Sequence, residues 1–323
     1  MSNSMYSSMT RSDFGRARMR ESVGRILALL KAQKDEMLSL GDVRSLVRPE
    51  SETYRGLQTV PIDRIVGSEG RYRDFNRAFL PRHDKLMRRW MSVDEAHYRN
   101  VILPPIKLFE IGGAYFVRDG NHRVSVAKAQ GAEFIDAEVI SLSSEIALAP
   151  DMGREQIKRA VIEFEKQRFF DATKLDRLRP DCGMEFTEVG RYDEVLAHIR
   201  EHKWYLNLSK TEEIPFENAA VSWYDTVYAP VVSIIRETGL ISRFSGVTEA
   251  DLYVFIGKHW GEMNARYGPL FTLEEAAEDF MRAWRASRLR RGAGALAAWI
   301  GGLFRPRANR AKRDVQSPST KDR

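Results

Sequence analysis

The segment that most constrains the fold is Tyr115–Gly131, which reads YFVRDGNHRVSVAKAQG. Its first residues are apolar and mostly aromatic or β-branched, as in a strand, and Asp119-Gly120 is a turn dipeptide. Asn121 is a residue type that often begins a helix, and Gly131 stands where a helix C-terminal glycine belongs. The segment therefore predicts a strand, a tight turn and a short helix over Asn121–Gln130.

The turn between this strand and helix carries residues suited to binding an anion. Gly120 lets the backbone approach a ligand closely, and the N–H groups of a first helical turn have no acceptor within the helix. His122 and Arg123 lie in that first turn, although the helix dipole disfavours cations there. An anion held between the backbone amides and the Arg123 guanidinium explains this placement, and Asn121 can donate to the same ligand. The structural alternative is an ordinary turn in which Arg123 simply pairs with Asp119.

The elements around this segment alternate in type, whereas strand signals nearly vanish beyond Pro150. The first region predicts the strands Gln58–Val66, Pro104–Glu110, Ala114–Arg118 and Phe134–Ile140, and a helix over Leu80–Met91. The second region predicts helices over Arg154–Phe170, Tyr192–Tyr205, Phe216–Thr238, Thr248–Tyr267 and Thr272–Leu289. Two of these begin with a capping-box pattern, at Thr248 and Thr272. The predicted fold class is α+β, a small mixed-sheet domain followed by an all-helical domain.

These signals divide the chain into four parts. Residues 1–55 are expected to form a disordered start and an amphipathic helix over Ser22–Leu40, and residues 56–145 the mixed-sheet domain. Residues 150–290 are expected to form the helical domain, and residues 291–323 a basic tail with a short apolar segment. The aromatic residues of the helical domain fall at spacings typical of a helical core.

The net charge of +6 is unevenly distributed along the chain. Residues 281–313 contain ten Lys/Arg and no Asp/Glu, whereas residues 151–280 hold 16 Lys/Arg against 24 Asp/Glu. The apolar stretch Gly294–Phe304 lies within the basic tail and is too short to span a bilayer. Three partners remain open for the 282–313 region: an anionic membrane surface, nucleic acid, or another protein segment.

Compartment signals are few. A single cysteine, Cys182, excludes an intramolecular disulfide framework and fits a reducing cytoplasm. No apolar segment follows the basic start, so we expect no signal peptide, and no apolar run approaches the roughly 20 residues of a membrane span. We therefore expect a cytoplasmic protein, at most peripheral to the membrane or nucleoid.

Residues 59–140 resemble the ParB/sulfiredoxin-like superfamily. VPIDRI is similar to its opening strand, Arg71-Tyr72-Arg73-Asp74-Phe75 to the Arg-rich loop that follows, and YFVRDGNHRVSVAKAQGAEFIDAEVI to its closing strand, Gly-x-x-Arg turn, helix and strand. The resemblance implies that a nucleotide (ATP, ADP or CTP), with or without Mg²⁺, is the ligand. Its phosphates would be bound by Gly120, Asn121, His122, Arg123, Arg71 and Arg73.

Departures from the superfamily pattern narrow its chemistry. Asn121 stands where sulfiredoxins have their redox cysteine, and Asn121-His122 replaces the Glu-Arg pair of chromosome-partitioning ParB proteins. The chain looks closer to ParB-like free serine kinases and ParB-like nuclease domains, which use an acidic residue near the phosphates. Asp119 and Glu69 are the candidates for that role, and His122 is a candidate general base. No metal site is predicted from the residue spacings.

Two functions stay open on these grounds. One is a ParB-like nucleotide-binding protein that hydrolyses a nucleoside triphosphate, transfers its phosphate or acts as a nuclease. The other is a non-catalytic, DNA-associated or regulatory module whose helical domain contacts proteins, including a second copy of the chain. The C-terminal half resembles the helical region of uncharacterised bacterial proteins with a ParB-like domain, and that likeness implies no activity.

Overall fold

A computed structural model describes residues 3–30, 36–239, 241–244, 246–268, 272–273, 275–280 and 282. The chain divides into two compact units, with the boundary between Ala220 and Val221. The basic tail with its apolar stretch Gly294–Phe304 lies outside the described residues. Within the described helices, none is both long and apolar enough to cross a membrane.

A six-stranded mixed sheet forms the centre of the first unit. The strands are β1 (Leu38–Ser39), β2 (Glu52–Pro61), β3 (Ile65–Ser68), β4 (Ile106–Ile111), β5 (Ala114–Asp119) and β6 (Phe134–Leu142). Their order across the sheet is β1-β3-β5-β4-β6-β2. The β4–β5 and β2–β6 pairs are antiparallel, and the β1–β3, β3–β5 and β4–β6 pairs are parallel. Together with the helices that follow, this sheet confirms the predicted α+β class.

Within the described residues, helices lie before, between and after these strands. They are α1 (Asn3–Leu30), α2 (Leu40–Val47), α3 (Met87–Tyr98), α4 (Asn121–Ala129), α5 (Arg154–Thr173), α6 (Leu175–Leu178), α7 (Arg191–Asn207), α8 (Phe216–Trp223), α9 (Ala229–Glu237) and α10 (Glu249–Tyr267). Both faces of the sheet are covered by apolar side chains. One face packs with Phe75, Phe79 and Val124 of α4, and the other with residues of α2 and α5 such as Val43 and Val161.

The start of the chain differs from the sequence expectation of disorder over residues 1–20. Helix α1 already begins at Asn3, and its Phe14 side chain is only 1% exposed. The Phe14 ring meets Trp90 of α3 edge-on, with 5.7 Å between ring centroids, and Tyr98 donates a hydrogen bond to Asp13 at 2.6 Å. These contacts are made with a distant part of the chain, so the periodicity of the first residues does not predict them. The helix expected over Ser22–Leu40 is present in α1 as far as Leu30, but Leu38–Ser39 form strand β1 instead, and α2 begins only at Leu40.

Two other expected elements begin or end elsewhere. The strand expected over Gln58–Val66 is split into β2 and β3 by a 3₁₀ turn at Ile62–Arg64. The helix expected from Leu80 begins only at Met87, because Pro81 forms an isolated bridge with Phe75 and keeps the preceding chain extended. Strands β4, β5 and β6 and helix α4 lie where the sequence predicts them, within two residues at each end.

The helical region confirms the capping predictions and interrupts one helix. Thr248 caps α10, with the Asp251 amide donating to its hydroxyl at 3.1 Å and the Thr248 amide donating to the Asp251 carboxylate at 3.1 Å. The helix expected over Phe216–Thr238 contains a π-helical turn at Tyr224–Tyr228. Pro230, in the first turn of α9, lacks an N–H donor, so the regular hydrogen-bond ladder cannot pass through it unchanged.

Candidate functional site

A cleft of about 970 Å³ opens beside the junction of β5 and α4. Four separate segments line it: the loop after β3 (Gly70, Arg71, Asp74), the 3₁₀ turn before α3 together with α3 (Lys85, Leu86, Arg89, Val93), the α3–β4 loop (Leu103, Pro104) and residues 118–123. Its charged lining comprises five cations, Arg71, Lys85, Arg89, Arg118 and Arg123, and two carboxylates, Asp74 and Asp119. The cleft is therefore a site of positive potential with one helix N-terminus in its wall.

Gly120 makes the sharp turn from β5 into α4. Its φ of +106° lies in the left-handed region, and a Cβ there would be 2.5 Å from Ile106 Cγ2. The Val124 amide donates to the Gly120 carbonyl at 3.0 Å, which is the first hydrogen bond of α4. No side chain caps the helix. The amides of the first turn are thus left for a partner in the cleft, as the sequence suggests.

The Arg123 guanidinium is already bound within the protein. It donates to the Pro104 carbonyl, to the Pro105 carbonyl at 3.0 Å and to the Asp119 carboxylate at 2.6 Å. The Arg123 side chain is 17% exposed and the Asp119 side chain 68%. The Arg123–Asp119 pair of the structural alternative is therefore present, and Arg123 also fastens the α3–β4 loop to the start of α4.

Asp74 organises the cations on the opposite wall of the cleft. Its carboxylate pairs with Arg71 at 3.0 Å and with Lys85 at 3.4 Å. The backbone amide of Arg71 donates to the Ser68 hydroxyl at 3.2 Å, which fixes the start of this loop. The Asp74 side chain is only 18% exposed, whereas those of Arg71 and Lys85 are 55% and 69% exposed, so the two cationic groups are more accessible to a ligand than the carboxylate between them.

Two neighbouring side chains in the cleft wall hold buried polar atoms with no hydrogen-bond partner. They are Asn121 Oδ1 and His122 Nδ1, and Asn121 as a whole is 7% exposed. Leaving a buried polar atom unpaired costs roughly 1–3 kcal/mol, so such atoms commonly mark a place where a ligand or water completes the structure. Both residues are among those that the sequence assigns to the anion site.

The His122 ring is neutral at pH 7. Its pKa is lowered to about 4, chiefly by burial and in addition by the positive charges of Arg71 and Arg89, while Asp74 acts in the opposite direction. The ring stands edge-on to Phe75, with 5.4 Å between centroids. A neutral imidazole with so low a pKa is a weak proton acceptor, so this geometry favours hydrogen bonding to a ligand over general-base chemistry.

The structure does not bring every predicted site residue to the cleft. Glu69 is exposed, its backbone amide donates to the Val117 carbonyl at 3.0 Å, and it is not part of the cleft lining. The Arg73 guanidinium lies over the Tyr72 ring at 5.6 Å and is likewise absent from the lining. Arg71 and residues 119–123 do come together.

The sequence reasoning missed four charged residues of the cleft: Asp74, Lys85, Arg89 and Arg118. Lys85 and Arg89 are four residues apart, a spacing that places two side chains on one face of a helix. That spacing was a usable signal. Asp74 and Arg118 offered none, since their position follows from the pairing of β3 with β5.

The carboxylates of the cleft do not form a metal-binding set. Among the described residues, no group of three or more His, Cys, Asp or Glu side chains is placed to hold a metal ion. Asp74 and Asp119 each pair with arginine or lysine. The described residues therefore form no all-protein cage for a metal ion, and no step of the chemistry is assigned to one.

Comparisons with known proteins return little for this chain. No protein-family model matches it, and no curated protein sequence matches it significantly. A solved structure titled "Structure of the C2221 form of Pnob8-like ParB-N domain" aligns with 80% of this chain and 91% of its own, at 10% sequence identity and a TM-score of 0.21.

Proposed function

We propose that the cleft binds the phosphate groups of a nucleotide at the N-terminus of α4. The observation that carries the proposal is the convergence of five cationic side chains on an uncapped helix start, next to the unpartnered atoms of Asn121 and His122. Phosphate oxygens accept hydrogen bonds from helix-terminal amides and from guanidinium groups. Asn121 can rotate to donate its amide to a phosphate oxygen, and neutral His122 can donate or accept.

The rest of the lining suits the remainder of a nucleotide. Leu86, Val93, Leu103 and Pro104 form an apolar wall facing the same space. A volume of about 970 Å³ lies at the upper end of the range typical of small-molecule sites, roughly 300–1,000 Å³. A ligand with an anionic end and a flat, less polar end matches this division of charge.

Turnover, if the bound nucleotide is hydrolysed or donates its phosphate, needs a group that accepts the proton of the attacking water or hydroxyl. Asp119 is our candidate, because its carboxylate is 68% exposed on the cleft wall and Arg123 fixes it at 2.6 Å. In that reaction the phosphorus–oxygen bond to the leaving group breaks, a bond to the attacking oxygen forms, and the proton passes to Asp119. Asp119→Asn then abolishes turnover while nucleotide binding persists.

Thermal-shift measurements with ATP, ADP, CTP and GTP, each with and without Mg²⁺, test the binding proposal. A ligand present at a hundredfold excess over its Kd stabilises the native state by about 2.7 kcal/mol, so the melting temperature rises. We expect Arg71→Ala and Arg89→Ala to reduce that rise. Arg73→Ala is the matched control, since Arg73 is two residues from Arg71 but outside the cleft lining.

Two results would overturn the binding proposal. One is the absence of a shift with every nucleotide and with inorganic pyrophosphate. The other is an equal loss of the shift in Arg73→Ala and Arg71→Ala, which would separate the effect from the cleft. A shift with pyrophosphate alone would keep the phosphate site and remove the role of the apolar wall.

The DNA-associated alternative rests on the arginines of residues 282–313, which lie outside the described residues apart from Arg282. This alternative stays a prediction. It requires that the protein binds DNA, that salt weakens the binding, and that substitution of Asp119 and Glu69 leaves the binding intact.

A further inference from the structure

An exposed apolar loop follows helix α3 at the edge of the cleft. Three consecutive aliphatic residues, Val101, Ile102 and Leu103, are 53%, 96% and 37% exposed. Connecting loops are normally polar at their tips, so an isoleucine left almost entirely in water needs a reason.

The fold holds these side chains outward. At one end, Asn100 adopts a left-handed backbone (φ +53°), and the Val101 amide closes the helix by donating to the Ala96 carbonyl at 2.9 Å. At the other end, Arg123 binds the carbonyls of Pro104 and Pro105. Two successive prolines restrict the backbone further. The apolar tip is thus fastened at both ends and cannot fold back onto the core.

Charge around the loop indicates the kind of partner. Leu103 shares the cleft rim with Lys85 and Arg89, and the neighbouring Arg88 is also exposed. Neither Arg88 nor Arg89 pairs with a carboxylate in the part of the chain that the structure describes. An apolar protrusion beside unneutralised cations is complementary to a membrane surface that carries anionic headgroups.

The size of the loop separates a membrane from a protein partner. A standard protein interface buries about 800 Å² on each side and usually has aromatic or arginine anchors at its centre. Three aliphatic side chains on one loop tip do not provide that area. Shallow insertion among lipid headgroups requires only a few apolar side chains, with cations at the level of the phosphates.

We propose that the loop 101–105 inserts into the surface of an anionic lipid bilayer. The insertion is distinguished from nucleotide binding by Val101 and Ile102, which lie outside the cleft lining, whereas Leu103, Lys85 and Arg89 belong to both surfaces. It is also separate from any contact made by residues 282–313.

A site-specific fluorescent label tests the insertion directly. The chain has one cysteine, Cys182, which is 4% exposed and whose pKa burial raises to about 11, so a new exposed cysteine can be labelled selectively. An environment-sensitive dye on Ile102→Cys should show a blue shift when full-length protein meets vesicles of phosphatidylserine and phosphatidylcholine. Leu57→Cys is the matched control, because Leu57 on β2 is 64% exposed and lies outside the loop and the cleft.

Co-sedimentation with the same vesicles gives the second readout. We expect the bound fraction to fall at least fivefold in the double variant Val101→Ser/Ile102→Ser, and to be unchanged in Leu57→Ser. Vesicles of pure phosphatidylcholine should bind little of the wild type or of either variant.

Three outcomes overturn the proposal: no sedimentation of the wild type with anionic vesicles, no dye response at position 102 while the protein does sediment, or equal losses in the loop and Leu57 variants. A concentration-dependent dimer that the loop variant abolishes, seen by size-exclusion chromatography with light scattering, would assign the loop to a second copy instead. The nucleotide thermal shift of the loop variant is expected to match the wild type, so failure of one proposal does not resemble failure of the other.

Discussion

At the scale of single residues, the β5–α4 junction depends on the absence of a side chain at position 120. Gly120 combines a left-handed φ of +106° with a gap too narrow for a methyl group beside Ile106. Gly131, at the other end of α4, also has a positive φ (+75°), but nothing lies within 4 Å of where its Cβ would be. The two glycines share the backbone requirement and differ only in the space available.

Substituting each of these glycines by alanine separates strain from collision. Gly131→Ala should lower the free energy of unfolding by roughly 1–2 kcal/mol, the cost of a left-handed alanine. Gly120→Ala should lower it by roughly 2–5 kcal/mol, since the collision with Ile106 adds to that cost. Urea unfolding followed by circular dichroism measures both values. Equal losses at the two positions would contradict the tight fit at Gly120.

His122 predicts a pH dependence of stability with a definite sign. Its pKa is about 4 in the folded protein, against 6.5 without the protein environment. Below pH 6.5 the unfolded chain takes up a proton that the folded chain refuses, so stability is lost as pH falls from about 6.5 to about 4. The loss attributable to this group is roughly 3 kcal/mol.

The comparison of wild type with His122→Gln isolates this contribution. Glutamine does not titrate, so the stability of the wild type relative to the variant should fall between pH 7.5 and pH 4.5. Urea unfolding at several pH values gives the difference. A constant difference across that range would mean that His122 titrates normally in the folded protein.

At the scale of elements, helix α1 shows how distant contacts decide a local structure. Phe14 and Ala17 are 1% and 2% exposed and pack against α3, including Trp90. The nearby Met19, on the same helix, is 70% exposed. The helix is thus anchored by one stripe of side chains.

Removing the Phe14 ring tests this anchoring. Phe14→Ala should destabilise the protein by roughly 3–5 kcal/mol, as expected for a large side chain deleted from a core. Met19→Ala, at an exposed position of the same helix, should change stability by no more than about 0.5 kcal/mol. Thermal unfolding of the two variants makes the comparison. Similar, small effects of the two substitutions would contradict the packing of α1 against α3 and favour the disordered start that the composition predicts.

The elements that could be predicted from the sequence are those whose signals are local. The Gly112-Gly113 turn, with φ of +58° and +88°, joins β4 to β5, and a Gly-Gly pair between two strand-like segments is a local signal for a hairpin. Gly131 is likewise a local signal, for the end of α4. Strand β1 is only two residues long, and its pairing with β3 leaves no periodic trace. The early start of α1 could not be predicted, because it depends on the contact of Phe14 with Trp90, which lies far along the chain.

The residues of the candidate site also divide into those with a local sequence signal and those placed by distant contacts. The residues of the Asp119–Arg123 turn could be predicted, because their chemistry and their position at a helix start are visible together. Asp74 and Arg118 could not, since only strand pairing shows that the loop after β3 faces the end of β5. Neither could the hold of Arg123 on the Pro104 and Pro105 carbonyls, which no spacing rule suggests.

At the scale of the whole molecule, positive charge is in excess both over the full chain and within the cleft. The chain carries a net charge of +6, and the cleft has more cations than carboxylates. The proposed binding of a nucleotide would therefore have an electrostatic component that ions in solution can screen, because the Debye length shortens from about 10 Å at 0.1 M salt to about 3 Å at 1 M.

Salt should accordingly weaken nucleotide binding. We expect the Kd to rise several-fold between low and high salt, and to rise more for ATP than for ADP because ATP carries the larger negative charge. Isothermal titration calorimetry in potassium chloride series measures both dependences. Affinities that do not respond to salt would indicate recognition through the base and sugar alone.

The division of the cleft among four chain segments also has a kinetic consequence. The loop after β3, the start of α3, the α3–β4 loop and the β5–α4 turn meet only when β5 has paired with both β3 and β4. A partly folded chain, in which these strands have not yet paired, therefore offers a ligand no complete binding surface. Stabilisation by the ligand should therefore appear almost wholly as slower unfolding, with the refolding rate nearly unchanged.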